Sequence, residues 1–377
     1  MGLFIRKSIE TLQAEAQQSG SKTLKRVLGP VSLVALGVGV IIGAGLFSIT
    51  GTVASEYTGP AITLSFIVAA IGCCFAGLCY AEFASMIPVA GSASTSSYAT
   101  MGELIAWIIG WDLVLEYTVA ATTVSISWSR YLVVFLQGIG IELPHALSAC
   151  PWDGGIVNIP AILIVVLMSL ILMRGIAGSS LFNGFIVFLK IGVILVFVIL
   201  GWRFIQAENY VPYIPENTGK LGEFGISGIL RGAAIVFFAF LGFDAVSTAA
   251  QETRNPQRNM PIGILVSLLV CTILYILFAH VMTGVAHYTE FKGQEGIAPV
   301  AVAIEHMGST NAAGVFVQAY PWLNKAIILT ILFGYCSVIM VTLLGQSRAF
   351  LSMSHDLHFS HASTSVSALL YIVISSL

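Results

Sequence analysis

Gly37-Val38-Gly39-Val40-Ile41-Ile42-Gly43-Ala44-Gly45-Leu46-Phe47 lies in the first long apolar stretch, and four of its eleven residues are glycine. A helix in lipid satisfies its own backbone groups, so an unwound turn survives there only where protein, water or a ligand replaces the lost partners. The run Gly43-Ala44-Gly45 therefore predicts a break in the first span. The sixth apolar stretch is interrupted in the corresponding place, at Ala239-Phe240-Leu241-Gly242. Two discontinuous helices at matching positions are the expected signature of a substrate site near the bilayer midplane. Gly39 and Gly43 alone would also suit helix packing, but packing explains neither Gly45 nor the match in the sixth stretch. A dinucleotide fingerprint fails, because the glycine spacing is one residue too long and no strand–helix context surrounds it.

Composition points the same way. Of 377 residues, 57% are apolar and only 9% charged, against about 25% charged in soluble domains. The expected class is an all-α integral membrane protein. A net charge of −2 gives no reason to expect nucleic acid as a partner. Five of six cysteines (Cys73, Cys74, Cys79, Cys271, Cys336) fall in apolar stretches and Cys150 in a loop, which suggests packing and not a disulfide or metal framework.

Segments long enough to span, about 20 residues each, run over 31–56, 61–87, 102–137, 156–174, 181–203, 226–250, 261–285 and 322–353, with a weak ninth over 362–377. The expected organisation is a polar tail (1–30), a body of eight helices (31–356) and an atypical tail (357–377). Arg6, Lys7, Lys22, Lys25 and Arg26 place the N-terminus in the cytoplasm by the positive-inside rule, and no cleavable signal precedes the first span. Arg174, Arg254, Arg258 and Arg348 then fall inside, while Arg203, Lys220 and Lys292 fall outside. The long loops 204–224 and 286–320 are expected outside, as connectors or as caps of an outer vestibule.

Ionisable residues within the spans are few, and a charge at the bilayer centre costs about 2.5–3.5 kcal/mol even on insertion scales. Lys190 stands mid-span with about ten apolar residues on either side, too far to snorkel, which makes it a candidate proton carrier. Asp112 and Glu116 are four apart on the third span and share a face, with Glu116 the deeper. Asp244 follows the break in the sixth span, where capping of the second half-helix and substrate contact are both open. Glu82 and the segment Glu252-Thr253-Arg254-Asn255-Pro256 suit either salt bridges of a closed gate or solvated loop ends. His355, His358 and His361 drift around a helix with no cysteine beside them, so no metal is expected.

These stretches together resemble the amino acid–polyamine–organocation (APC) superfamily, specifically proton-coupled amino acid permeases of bacteria similar to cationic amino acid transporters. The likeness is carried by the opening glycine stretch, Tyr80-Ala81-Glu82-Phe83 with Pro88-Val89-Ala90-Gly91-Ser92, Gly110-Trp111-Asp112-Leu113-Val114-Leu115-Glu116-Tyr117, Phe237-Phe238-Ala239-Phe240-Leu241-Gly242-Phe243-Asp244 and Glu252 to Gly263. It implies a leucine-transporter-like inverted-repeat fold with helices one and six broken. It also implies an L-amino acid held at the breaks. The carboxylate would meet the amides of Gly43, Ala44 and Gly45, the ammonium the carbonyls around Ile41, Phe238, Ala239 and Leu241, and Phe240 would form an aromatic lid. Lys190 and Glu116 would be the proton-linked pair.

The resemblance implies secondary active transport by alternating access, with protons and the lipid of a bacterial inner membrane as partners, and with no cofactor and no enzymatic activity. Oligomeric state is open. Relatives have twelve helices around a core of ten, whereas about nine are read here, and the sequence departs from the family after Arg348. Ser94 and Ser96 stand where aromatics are frequent, and Asn259 where an acid is. The alternative expectation is therefore a truncated, non-transporting permease fragment. A membrane enzyme or channel using Asp112 and Glu116 ranks third, having no nucleophile, metal or cofactor motif beside it.

Overall fold

A computed structural model describes residues 28–86, 92–173, 180–292, 299–310 and 316–356. The basic tail, the Pro88–Gly91 turn, Arg174 and the weak ninth helix with His358 and His361 lie outside the described residues. The helices in chain order are α1 (Pro30–Ile41), α2 (Ile62–Met86), α3 (Ser92–Thr100), α4 (Glu103–Gln137), α5 (Ile159–Met173), α6 (Ser180–Gly201), α7 (Gly225–Val236), α8 (Ala245–Thr248), α9 (Pro256–Val285), α10 (Pro299–Glu305) and α11 (Pro321–Asp356). Each of the eight spans expected up to residue 353 falls on one of these helical stretches.

Among the described residues six stretches are long and apolar enough to cross a membrane, and Ile159–Met173 is a shorter apolar helix. The first stretch, Pro30–Met86, contains two of the expected spans. They meet at Gly59, whose φ of 61° ends one, and Pro60, which starts the next. α4 and α11, with 35 and 36 residues, reach about 52–54 Å at 1.5 Å per residue, well beyond a hydrocarbon core of about 30 Å. The chain is an integral membrane protein by this architecture.

The core is built around α1. Leu33, Val38, Ile41 and Ile42 are all within 2% of complete burial, and α1 packs on α9, α6 and α11. α4 runs against α11, and α9 against α2. The outward faces carry Phe75, Leu115, Phe188, Ile199, Leu269 and Phe333, all exposed. Apolar faces of this kind suit a hydrocarbon solvent.

Both predicted breaks are present. α1 ends at Ile41; Ile42 has extended backbone (ψ 102°), and helix resumes as a π-helical turn over Gly45–Ile49. α7 runs into a 3₁₀ turn over Phe237–Phe240, then Leu241 is extended and Gly242 has φ 102° before α8.

The loop over 286–320 is more than a connector. α10 lies within it, with Val300 to Ile304 all buried, and a two-stranded hairpin pairs β1 (Gly308–Thr310) with β2 (Phe316–Gln318), Ser309 facing Val317. The apolar run of α10 is too short to read as a span, which is why the sequence leaves it as loop. In the other long loop Tyr213 bonds Thr63 of α2 (2.5 Å).

Candidate functional site

The two breaks touch. Gly45 packs directly on the Cα of Ala239, so a β-carbon at 45 would overlap the sixth-span backbone. Gly242 needs glycine twice over, for its left-handed φ and for its contact with Val40. Glycine is thus where the two unwound segments meet, and helix packing alone does not describe it.

The carbonyls released by the first break are taken up by side chains. Lys190 is 1% exposed, and its Nζ donates to Gly39 O (2.7 Å), Ile42 O (3.0 Å) and Ser337 Oγ (3.1 Å). Three donors meet three acceptors, none of them an anion. Tyr275 Oη of α9 lies 2.7 Å from Ile41 O and 2.8 Å from Ala239 O. Tyr131 of α4 donates to Phe47 O (2.6 Å).

A cavity opens beside the breaks. Its walls include Ile41, Gly43, Ala44 and Gly45 from the first span, Phe238, Leu241 and Gly242 from the sixth, Glu116, Ala120 and Val124 from α4, and Val338 and Thr342 from α11. Its lining is mostly apolar. Glu116, Tyr117 and Thr342 supply the side-chain polar groups.

The expected site residues divide accordingly. Ile41, Gly43, Ala44, Gly45, Phe238, Leu241 and Glu116 line one cavity, while Ala239 and Phe240 do not. Phe240, expected as the lid, is fully buried against Phe66 (6.4 Å between ring centroids) and Tyr275 (5.2 Å). Of the phenylalanines at the sixth-span break, Phe238 lines the cavity, beside Tyr117 of α4. Helical periodicity stops at a break, so a sequence pattern cannot tell which of two neighbouring phenylalanines faces the opening.

Asp244 occupies the N-cap position of α8 but makes no capping bond. Its Oδ2 accepts instead from Tyr117 Oη of α4 (2.6 Å), while the amides of Gly242 and Ala245 lie near the carboxylate outside hydrogen-bond geometry. Asp244 thereby ties the second half of the sixth span to α4, beside Glu116, with which it interacts electrostatically. Glu116 therefore belongs with Asp244 and Tyr117, and Lys190 stands apart among carbonyls. Asp112 is exposed.

At the end of the bundle expected to face the cytoplasm, Arg348 of α11 pairs with Glu252 (2.8 Å) and donates to Thr248 Oγ1 (3.3 Å). Leu28 N donates to Glu252 O (3.0 Å) and Arg254 N to Leu28 O (2.9 Å). Three segments far apart in sequence are joined there, whereas Glu82 is exposed. Tyr275, Tyr131 and Tyr117 escape sequence reasoning, because an aromatic in an apolar span reads as packing until its hydroxyl finds a partner.

A family model described as "Amino acid permease" matches residues 28–368. The chain belongs to the amino acid permease family. Among its relatives, the methylthioribose transporter of Bacillus subtilis (strain 168) is 42% identical over 356 residues, covering 94% of this chain and 72% of that protein. The branched-chain amino acid permease BcaP of the same organism is 44% identical over 358 residues, with the same coverage of 94% and 72%. A vacuolar cationic amino acid transporter 4 of Arabidopsis thaliana is 34% identical over 356 residues, 94% of this chain and 56% of that one.

Solved structures agree on the fold. MhsT in complex with L-phenylalanine superposes with a TM-score of 0.65 at 15% identity, covering 93% of this chain and 79% of that one. A Na+-coupled sialic acid symporter gives 0.59 at 12%, covering 98% and 76%. The permease fold here is the leucine-transporter fold, and the relatives named above are transporters and permeases.

Proposed function

We propose that this chain is a secondary active transporter that binds a neutral, apolar L-amino acid between the two breaks and carries it, with a proton, by alternating access. The observation that carries the reading is the cavity at which the broken first and sixth spans meet. The first amides of a half-helix attract a carboxylate, and Gly43, Ala44 and Gly45 stand where that carboxylate would bind. The carbonyl of Leu241, and that of Phe238 beside the Leu241 amide it already accepts (3.2 Å), would receive the ammonium, and Val40, Ala120, Val124 and Val338 would surround an apolar side chain. The branched-chain permease relative supports that substrate class.

Lys190 is the proton-coupling group in this reading. It is an ammonium held only by neutral acceptors on the first break, so its charge state and the geometry of that break depend on each other. Glu116, on the cavity wall with Asp244 and Tyr117 behind it, is its companion in the cycle and links α4 to the sixth span. The membrane is taken to be a bacterial inner membrane with the N-terminus cytoplasmic.

A second reading comes from the methylthioribose transporter relative: Glu116 and Thr342 on the cavity wall offer hydrogen-bond partners to hydroxyl groups of an uncharged thiosugar. Thermal-shift measurements on purified protein separate the two. Stabilisation by L-leucine, L-isoleucine or L-valine, lost when either the amine or the carboxylate is removed from the ligand, supports the amino acid. Stabilisation by methylthioribose alone replaces it. No response to either class contradicts both.

A further inference from the structure

We infer that Tyr275 is a positioning residue of the transport cycle: its hydroxyl, shared between Ile41 O in the first break and Ala239 O in the sixth, makes the two unwound segments move as one unit. The inference rests on the reading of the breaks as the substrate site, and extends it to how they are kept in register.

Ile41 O has lost its helical partner because the chain unwinds at Ile42 and Gly43, and Ala239 O faces the turn at Leu241 and Gly242. Both carbonyls would be costly to leave bare in a dry interior. One side chain reaches both, at 2.7 and 2.8 Å, from a ring with no exposed surface. A phenol has a single proton, so at any instant it donates to one carbonyl and lies in contact with the other. The bond can pass between the segments without the ring moving. Displacing either segment by more than a fraction of an ångström removes one of the two acceptors.

The ring itself is clamped. Phe66 of α2 lies 5.4 Å from it and Phe240 lies 5.2 Å away, so Tyr275 references both breaks to α2 and α9, elements that have no break of their own. Gly45 against Ala239 provides the steric half of the same link. Lys190 does not duplicate it, since its three acceptors include no sixth-span group. Tyr275 is the group that spans both.

Tyr275→Phe keeps the ring and removes only the hydroxyl. Amide hydrogen exchange of the full chain in lipid nanodiscs is the measurement. The expected result is that exchange over residues 42–47 and 238–244 rises together by about fivefold, the factor that goes with one ordinary hydrogen bond, while α4 and α9 keep wild-type rates. A purely structural ring would leave both segments unchanged in this variant. A rise in one segment only, or in neither, overturns the inference.

Wild-type protein gives an independent check if the variant does not fold. Without ligand, the two segments should open with one shared dependence on denaturant; separate dependences overturn the inference. Adding L-leucine tests the substrate reading by itself, since absence of protection in wild type counts against an amino acid at the breaks and leaves the ligand-free comparison intact.

Discussion

Gly45, Lys190 and Tyr275 show how much of this site depends on single atoms. Gly45→Ala places a methyl group against the backbone at Ala239, and overpacking of this kind costs about 1–3 kcal/mol. The expected outcome is a lower melting temperature together with loss of ligand-induced stabilisation. Gly72→Ala is the matched control, because nothing lies within 4 Å of its added carbon; mid-helix alanine is favoured over glycine, so its melting should be no lower than wild type and its ligand response unchanged. Lys190→Met removes three donors at once and leaves Gly39 O and Ile42 O short of partners, worth about 1–3 kcal/mol for an unsatisfied group. Melting of Lys190→Met should therefore fall further than that of Lys190→Gln, whose amide can still donate.

At the scale of elements, the Glu252–Arg348 pair is a matter of conformational balance more than of stability. Both side chains are about a quarter exposed, at 23% and 26%, and pairs with solvent access contribute about 0–1 kcal/mol. Glu252→Gln should thus barely move the melting temperature, yet a shift of about 1 kcal/mol is enough to change the ratio of two conformers about fivefold. Spin-label distances between α8 and the lower end of α11 should broaden toward longer values; an unchanged distribution would show that the pair is ornamental.

The loop before α7 is expected to respond to pH. Thr218 Oγ1 donates to Glu223 Oε2 (2.8 Å), and Lys220 lies 3.4 Å from Oε1. That hydroxyl bond, followed by the lysine, holds the Glu223 carboxyl below its ordinary value. A depressed carboxylate contributes its stabilisation above its unfolded value, about 4.3, and loses it as pH falls through the lower folded value. Amide exchange over 217–224 should accelerate as pH is taken below about 4, after correction for intrinsic rates, and Thr218→Val should move that acceleration to higher pH.

For the whole molecule, what the sequence discloses and what it hides have separate physical causes. The spans and both breaks are legible, because long apolar runs and glycine clusters are local signals. Lys190 is legible because a lone cation in a span is rare. The bonds that assemble the site are not: Tyr275 to Ile41 and Tyr117 to Asp244 join residues 234 and 127 positions apart, and no periodicity relates them. Asp244 reads locally as a cap, and only the fold brings Tyr117 within reach of it. α10 is hidden for another reason, since seven residues are too few to read as a helix amid a polar loop.

In the proposed function the joined breaks bind an amino acid whose movement is coupled to a proton through Lys190. Purified protein in sealed liposomes, with acidic medium outside and neutral buffer within, tests it through accumulation of radiolabelled L-leucine. Uptake should rise above equilibrium, saturate with substrate and collapse with a protonophore, and Lys190→Gln should still exchange leucine for leucine but no longer accumulate it. Accumulation by Lys190→Gln at the wild-type level, or wild-type uptake indifferent to the proton gradient, would contradict it.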